Sequence, residues 1–158
     1  MTIYATGLSG TIGRALSEGI KPLKFSENGI DRLDLDGLKS GDVIIHLAAI
    51  VGESKVIDNY ELAQKINVQG TDNLAIQIAK LEGVRFIYVS TGHVYGPANE
   101  PRKEIHDTNP QSLYAKTKYE GENCVLSRFS ELPELSLILR IFSIMDRNLD
   151  AKSRPALS

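Results

Sequence analysis

The sequence predicts an α/β fold with a doubly wound, mostly parallel sheet, and three observations lead there. Helix-like and strand-like stretches alternate from the first residue onward. A glycine-rich turn, Gly7 to Gly13, follows the first strand-like run and opens a helix. The stretch Asp42 to Ala49 is almost continuously apolar, as suits a strand covered on both faces. A chain of 158 residues with 42% hydrophobic content holds one domain with one core.

The elements follow in order. Thr2 to Thr6 reads as the first strand and Gly13 to Gly19 as the helix after the turn. Leu23 to Ser26 is expected as a second, short strand and Leu33 to Leu35 as a third. Asp42 to Ala49 is the next, and Tyr60 to Glu82 a helix bent or broken near Gly70. Leu74, Ile78 and Leu81 give its second half an apolar stripe, and Gly83 suits its end. Val84 to Ser90 is a fifth strand. A loop from about Gly96 to Gln111 carries three prolines, and either covers a site or runs through solvent. Ser112 is the expected N-cap of a helix reaching about Arg128. Pro133 precedes a last strand, Leu135 to Phe142, and residues 147–158 read as a polar tail after a domain of residues 1–146.

Composition excludes several functions. With a net charge of −2 and a pI near 5.9, the chain has no cation excess for nucleic-acid phosphates. No apolar run approaches the ~18 residues of a membrane span. One cysteine, Cys124, makes no internal disulfide and no zinc site by itself. No basic-then-apolar leader opens the sequence, so a reducing, cytoplasmic setting is the expectation.

Gly7, Gly10 and Gly13 stand in a GxxGxxG spacing. Glycines at such a turn let backbone approach a pyrophosphate and let the helix pack closely on its strand. The helix start, Thr11 and Ile12, would then present unpaired N–H groups to the anion. Glu27 lies about 20 residues past the first glycine, where a carboxylate would accept the ribose hydroxyls and favour NAD. Arg14 and Lys24 are close enough in sequence to pair with the 2′-phosphate of NADP instead, or all three are ordinary surface charges.

Tyr114 and Lys118 lie four residues apart, on one helix face. A phenol titrates at about 10, and bringing it near neutrality takes ~4 kcal/mol of differential stabilisation. The Lys118 ammonium and a cationic nicotinamide are the expected sources. Ser90 and Thr91 end the fifth strand, at the sheet edge where open α/β folds bind ligands. A hydroxyl there either holds a substrate oxygen or satisfies the local turn.

These blocks together resemble the extended short-chain dehydrogenase/reductase superfamily. They are Gly7/Gly10/Gly13, Asp42–Ala49, Ile66–Thr71, Val89–Gly96 and Tyr114–Lys118, spread over about residues 1–142. Within the superfamily the likeness is to the NAD-dependent sugar epimerase/dehydratase family, which implies a Rossmann-type fold. The resemblance implies Tyr114 as catalytic base, Lys118 as holder of the nicotinamide ribose and Thr91 as partner of the reacting oxygen. It implies Asn67 as support for the active-site helix and cofactor, with Asp34 and Leu35 near the adenine. Leu47, Ala48, Ala49 and Val89 fall on strand ends that line the cofactor. The implied cofactor is NAD, with NADP the alternative. The implied partner is a nucleotide-sugar or another small carbohydrate, and a homodimer would form through the Tyr114 and Tyr60–Glu82 helices.

Three departures matter. Gly92 and His93 stand where dehydratases of the family carry an acidic pair, which argues against dehydration. His93 remains a potential proton donor or a turn residue, whereas His46 reads as core. Ser143 replaces the asparagine of the family's LRxxN segment, and the C-terminal substrate lobe of the family is expected to be missing. The leading expectation is an epimerase using Tyr114, Lys118 and Thr91. The alternatives are a dTDP-4-dehydrorhamnose reductase-like enzyme using NADPH, suggested by Leu113–Glu122, and a cofactor-binding module without catalysis.

Overall fold

The computed structural model describes residues 1–16, 18–23, 35 and 37–144. Among these residues, five parallel strands lie side by side in the order β2-β1-β3-β4-β5. They are β1 (Ile3–Thr6), β2 (Lys21–Pro22), β3 (Val43–His46), β4 (Arg85–Thr91) and β5 (Ser136–Ile141). Helix α1 (Thr11–Leu16) follows β1. Helices α2 (Glu53–Asp58), α3 (Tyr60–Ala63) and α4 (Thr71–Ile78) lie between β3 and β4, and α5 (Leu113–Arg128) lies between β4 and β5. This is the expected α/β Rossmann-type sheet.

Parallel order forces each strand to return through a crossover, and the crossovers cover the sheet. On β4, Phe86, Tyr88 and Ser90 share one face by the two-residue strand period. Phe86 and Tyr88 are fully buried, in a core with Ile44, Ile78, Val125 and Phe129. Phe86 stacks on Phe129 with centroids 5.8 Å apart, so β4 and the end of α5 are locked together. At the opposite strand ends, Asp42 accepts the amides of Thr2 at 2.7 Å and Lys39 at 3.1 Å. The Thr2 bond in particular holds its carboxyl below the usual range.

Four expectations change. The second strand pairs at Lys21 and Pro22, opposite Tyr4 and Ala5, two residues earlier than expected. Leu23 continues that register through its amide to the Ala5 carbonyl at 2.8 Å, and Lys24 to Ser26 lie outside the described residues. Leu35 packs against the core without joining a strand, and Leu33 and Asp34 lie outside the described residues. The first helix begins at Thr11, inside the glycine turn, because Arg14 N already bonds Gly10 O at 2.9 Å. The long helix does begin at Tyr60, after a separate short helix α2 and the non-helical Asn59, but it is no simple bend at Gly70. It widens into a π-helical stretch over Gln64–Gly70 and regains α geometry at Thr71.

Candidate active site

The glycine turn sits at the point where the strand order reverses, between β1 and β3. Gly7 has φ of 73°, and a side chain there would meet Ala48 N at 2.6 Å. A Cβ on Gly13 would collide with Gly7 O and Leu8 Cα. The turn and the Leu47–Ala49 segment therefore touch backbone to backbone at the carboxyl edge of the sheet. Gly10 closes the turn through its amide to Gly7 O at 3.0 Å, and Arg14 Nη1 holds Ser9 O at 2.7 Å. Thr11 and Ile12 are half-buried at the start of α1.

Beneath this edge His46 is buried but not idle. It meets Thr6 Oγ1 through Nδ1 at 2.7 Å and Thr71 Oγ1 through Nε2 at 3.0 Å. Thr71 donates to Asn67 O at 2.8 Å, so its oxygen accepts from His46 Nε2–H. The remaining ring nitrogen accepts the Thr6 hydroxyl, whose oxygen takes the Ala48 amide at 3.2 Å. One directed chain of hydrogen bonds thus runs from the Ala48 segment to the π-helical stretch. It needs the neutral ring, and burial pushes the His46 pKa down to about 3.

Asn67, fully buried in that stretch, completes the frame. Its side-chain amide exchanges two hydrogen bonds with the Ile50 backbone, at 2.8 Å and 3.0 Å. It also donates to Thr117 Oγ1 on α5 at 3.1 Å. A widened turn lets one side chain reach the strand-end loop and the neighbouring helix together.

Helix α5 starts where expected, with Ser112 Oγ accepting the Ala115 amide at 3.1 Å. A second cap comes from far away in sequence. Glu53 on α2 accepts the amides of Leu113 at 2.9 Å and Tyr114 at 3.0 Å. Partial burial pushes its carboxyl up, but these two bonds and one from Ser112 outweigh it and hold the value below normal.

Tyr114 is half-buried, its ring edge-on to His93 with centroids 6.3 Å apart. Thr91 is buried at the end of β4, where its Oγ1 accepts the His93 amide at 3.3 Å and lies close enough to the Tyr114 phenol to hold its pKa down. Lys118 is buried one turn along, its Nζ 4.1 Å from the Tyr88 ring centroid. Of the two expected sources of acidification, the protein itself supplies only Lys118. Burial raises the Tyr114 pKa with only the nearby Thr91 hydroxyl opposing it, while burial takes Lys118 down to about 7. An ammonium that is itself desolvated to the edge of neutrality is a poor acidifier.

The fold therefore brings Tyr114, Lys118, Thr91 and Asn67 together, and separately joins Gly7, Gly10 and Gly13 to Leu47–Ala49. Val89 is buried on the β4 face opposite Tyr88. Glu27 and Asp34 lie outside the described residues. Ser90 satisfies no local turn; its hydroxyl donates to Glu122. Sequence reading missed Glu53 and Glu122. The first carries no local signal, because its bonds span 60 and 61 residues. The second stands four residues after Lys118, so the helix period already placed it on the same face.

Comparison with known proteins fits this geometry. The family described as RmlD substrate binding domain matches residues 1–149. The dTDP-4-dehydrorhamnose reductase of Mycolicibacterium smegmatis is 32% identical over 136 residues, covering 79% of this chain and 41% of that protein. Methionine adenosyltransferase 2 subunit beta of Bos taurus is 39% identical over 142 residues, covering 78% of this chain and 42% of that protein. The crystal structure of dTDP-4-dehydrorhamnose reductase from Bacillus anthracis, in complex with NADP, superposes with a TM-score of 0.71 at 27% identity. That match covers 90% of this chain and 54% of the other. Further solved neighbours hold NADPH or NAD. The chain spans less than half the length of the curated relatives it matches. With its glycine turn, its hydroxyl pair and a match over nearly its whole length, the chain belongs to the RmlD substrate-binding domain family.

Proposed function

We propose that this chain is the cofactor-binding half of an NAD(P)-dependent oxidoreductase acting on a nucleotide-linked sugar, in the direction of ketone reduction. The observation that carries the reading is the Tyr114–Thr91 hydroxyl pair at the carboxyl edge of β4, beside buried Lys118. A dinucleotide fits the cradle. Gly7 and Gly13 leave no room for side chains but present backbone at the start of α1, as a pyrophosphate requires.

The chemistry follows from these groups. A reduced nicotinamide held in this cradle would provide the hydride that a ketone reduction needs. Tyr114 gives its phenolic proton to the carbonyl oxygen, and Thr91 orients that oxygen by hydrogen bonding. Burial raises the Tyr114 pKa, which suits the phenol to giving this proton. The reductase relatives favour the same direction, whereas the neighbour titled UDP-glucuronic acid 4-epimerase is 24% identical and supports the fold alone. Lys118 supplies positive charge beside the phenol and a donor for the cofactor ribose.

The test is NADPH consumption with a dTDP-linked 4-keto sugar. The wild type should oxidise one NADPH per ketone, and Tyr114→Phe should slow turnover by ~100-fold or more with NADPH affinity retained. Interconversion of two nucleotide sugars with no net NADPH consumption would restore the epimerase. A second reading, a binding module without catalysis, has its own support in the relative named as a subunit of another enzyme. NADPH binding without turnover of any keto sugar would establish it.

A further inference from the structure

Beyond the hydroxyl pair, the most heavily built ionic cluster lies further along α5. Tyr114, Lys118 and Glu122 follow at four-residue steps and share one helix face. Glu122 is fully buried, and its carboxylate is held from two strands. The Ser90 hydroxyl of β4 donates to Oε1 at 2.5 Å. Arg140 of β5 donates through Nε to Oε1 at 3.0 Å and through Nη2 to Oε2 at 2.7 Å. The guanidinium in turn lies over the Tyr95 ring, 4.7 Å from its centroid. A buried carboxylate costs several kcal/mol to desolvate, and a purely structural tie between β4, β5 and α5 does not require one.

We propose that Glu122 is a positioning residue: anchored by Ser90 and Arg140, its carboxylate is the counter-charge that keeps the buried Lys118 side chain an ammonium beside Tyr114. The other groups around Lys118 cannot take that role. His46 from β3 is neutral, its pKa held at about 3. Tyr88 from β4 is neutral, burial having raised its pKa, and Tyr114 on α5 is likewise raised. Asn67 and Thr71, at the junction of the π-helical stretch and α4, carry no charge. Arg140 from β5 is a cation, so without Glu122 it would oppose a second charge at Lys118. Among the described residues, Glu122 is the anion that raises the Lys118 pKa against burial.

The consequence for turnover rests on the role given to Lys118 above; the electrostatic claim concerns the protein without ligand and is tested there. Protein labelled with ¹⁵N-lysine is titrated by NMR, with the Lys118 signal assigned by its loss in Lys118→Arg. Wild-type Lys118 should titrate near its value of about 7. Glu122→Gln should lower that midpoint by about one unit or more, and Arg140→Met should raise it by freeing the Glu122 charge. A folded Glu122→Gln protein with an unmoved Lys118 midpoint overturns the proposal. Should Glu122→Gln fail to fold, Arg140→Met decides, and an unmoved or lowered midpoint overturns it equally. Midpoints that move as expected in a protein that reduces no ketone would leave Glu122 in this role and remove the reductase reading instead.

Discussion

His46 shows how one residue can carry a pH dependence for the whole molecule. Its ring is neutral and fully hydrogen-bonded in the fold, with a pKa of about 3 against 6.5 when unfolded. Below pH 6.5 the unfolded chain binds a proton that the folded one refuses. Stability is therefore complete above pH 6.5 and falls as the pH drops toward 3. By pH 4 the loss should be on the order of 3 kcal/mol. Urea denaturation at pH 7 and pH 4 measures it, and His46→Gln, which keeps a donor and an acceptor, should flatten the difference. Glu53 offers a second check at this scale. Glu53→Ala should release about 1 kcal/mol at the first turn of α5, discounted for its exposure. Amide exchange of Leu113 and Tyr114 should then quicken by about fivefold, with distant amides unchanged. These two residues also mark the limit of sequence reading. Tyr114 and Lys118 were legible because the helix period alone sets their relation. The Glu53 clamp exists only once α2 has folded against α5.

At the scale of elements, legibility followed the strength of local signals. The apolar run holding β3, whose strand spans Val43–His46 within the expected Asp42–Ala49, and the Ser112 cap were legible, because each is fixed by neighbours in sequence. Ser112→Ala should cost about 1 kcal/mol, seen as a lower melting temperature. The π-helical stretch was not legible. Its cause is the buried Asn67 side chain reaching Ile50 and Thr117, residues 17 and 50 positions away. Strand β2, outermost on its side among the described residues, was misplaced for a related reason, since its two residues are exposed and its register is set by β1. The glycine turn lies between these cases. Its place was legible, but only the approach of Ala48 shows why Gly7 admits no side chain. Gly13→Ala should displace α1 from the turn, weakening NADPH binding by tenfold or more in titration calorimetry while far-ultraviolet dichroism stays near wild type.

For the molecule as a whole, alternation of elements was enough to foresee the parallel sheet, while the five motif blocks led to a broader superfamily than the RmlD substrate-binding domain family that the chain matches. The branch was harder, because reductases and epimerases share the residues that make the fold and the hydroxyl pair. The sheet also has a feature that bears on handling the protein. β5 is its last described strand, pairing with β4 on one side. Leu137 is 53% exposed and Leu139 45%, while just beyond them Phe142 is 58% exposed. Lysine at both leucines should increase the monomer fraction in sedimentation velocity, and a wild type already monomeric at high concentration would refute this. Among the described residues, then, the apolar side chains along this margin are what decides how readily two copies of the chain cling to each other at high concentration.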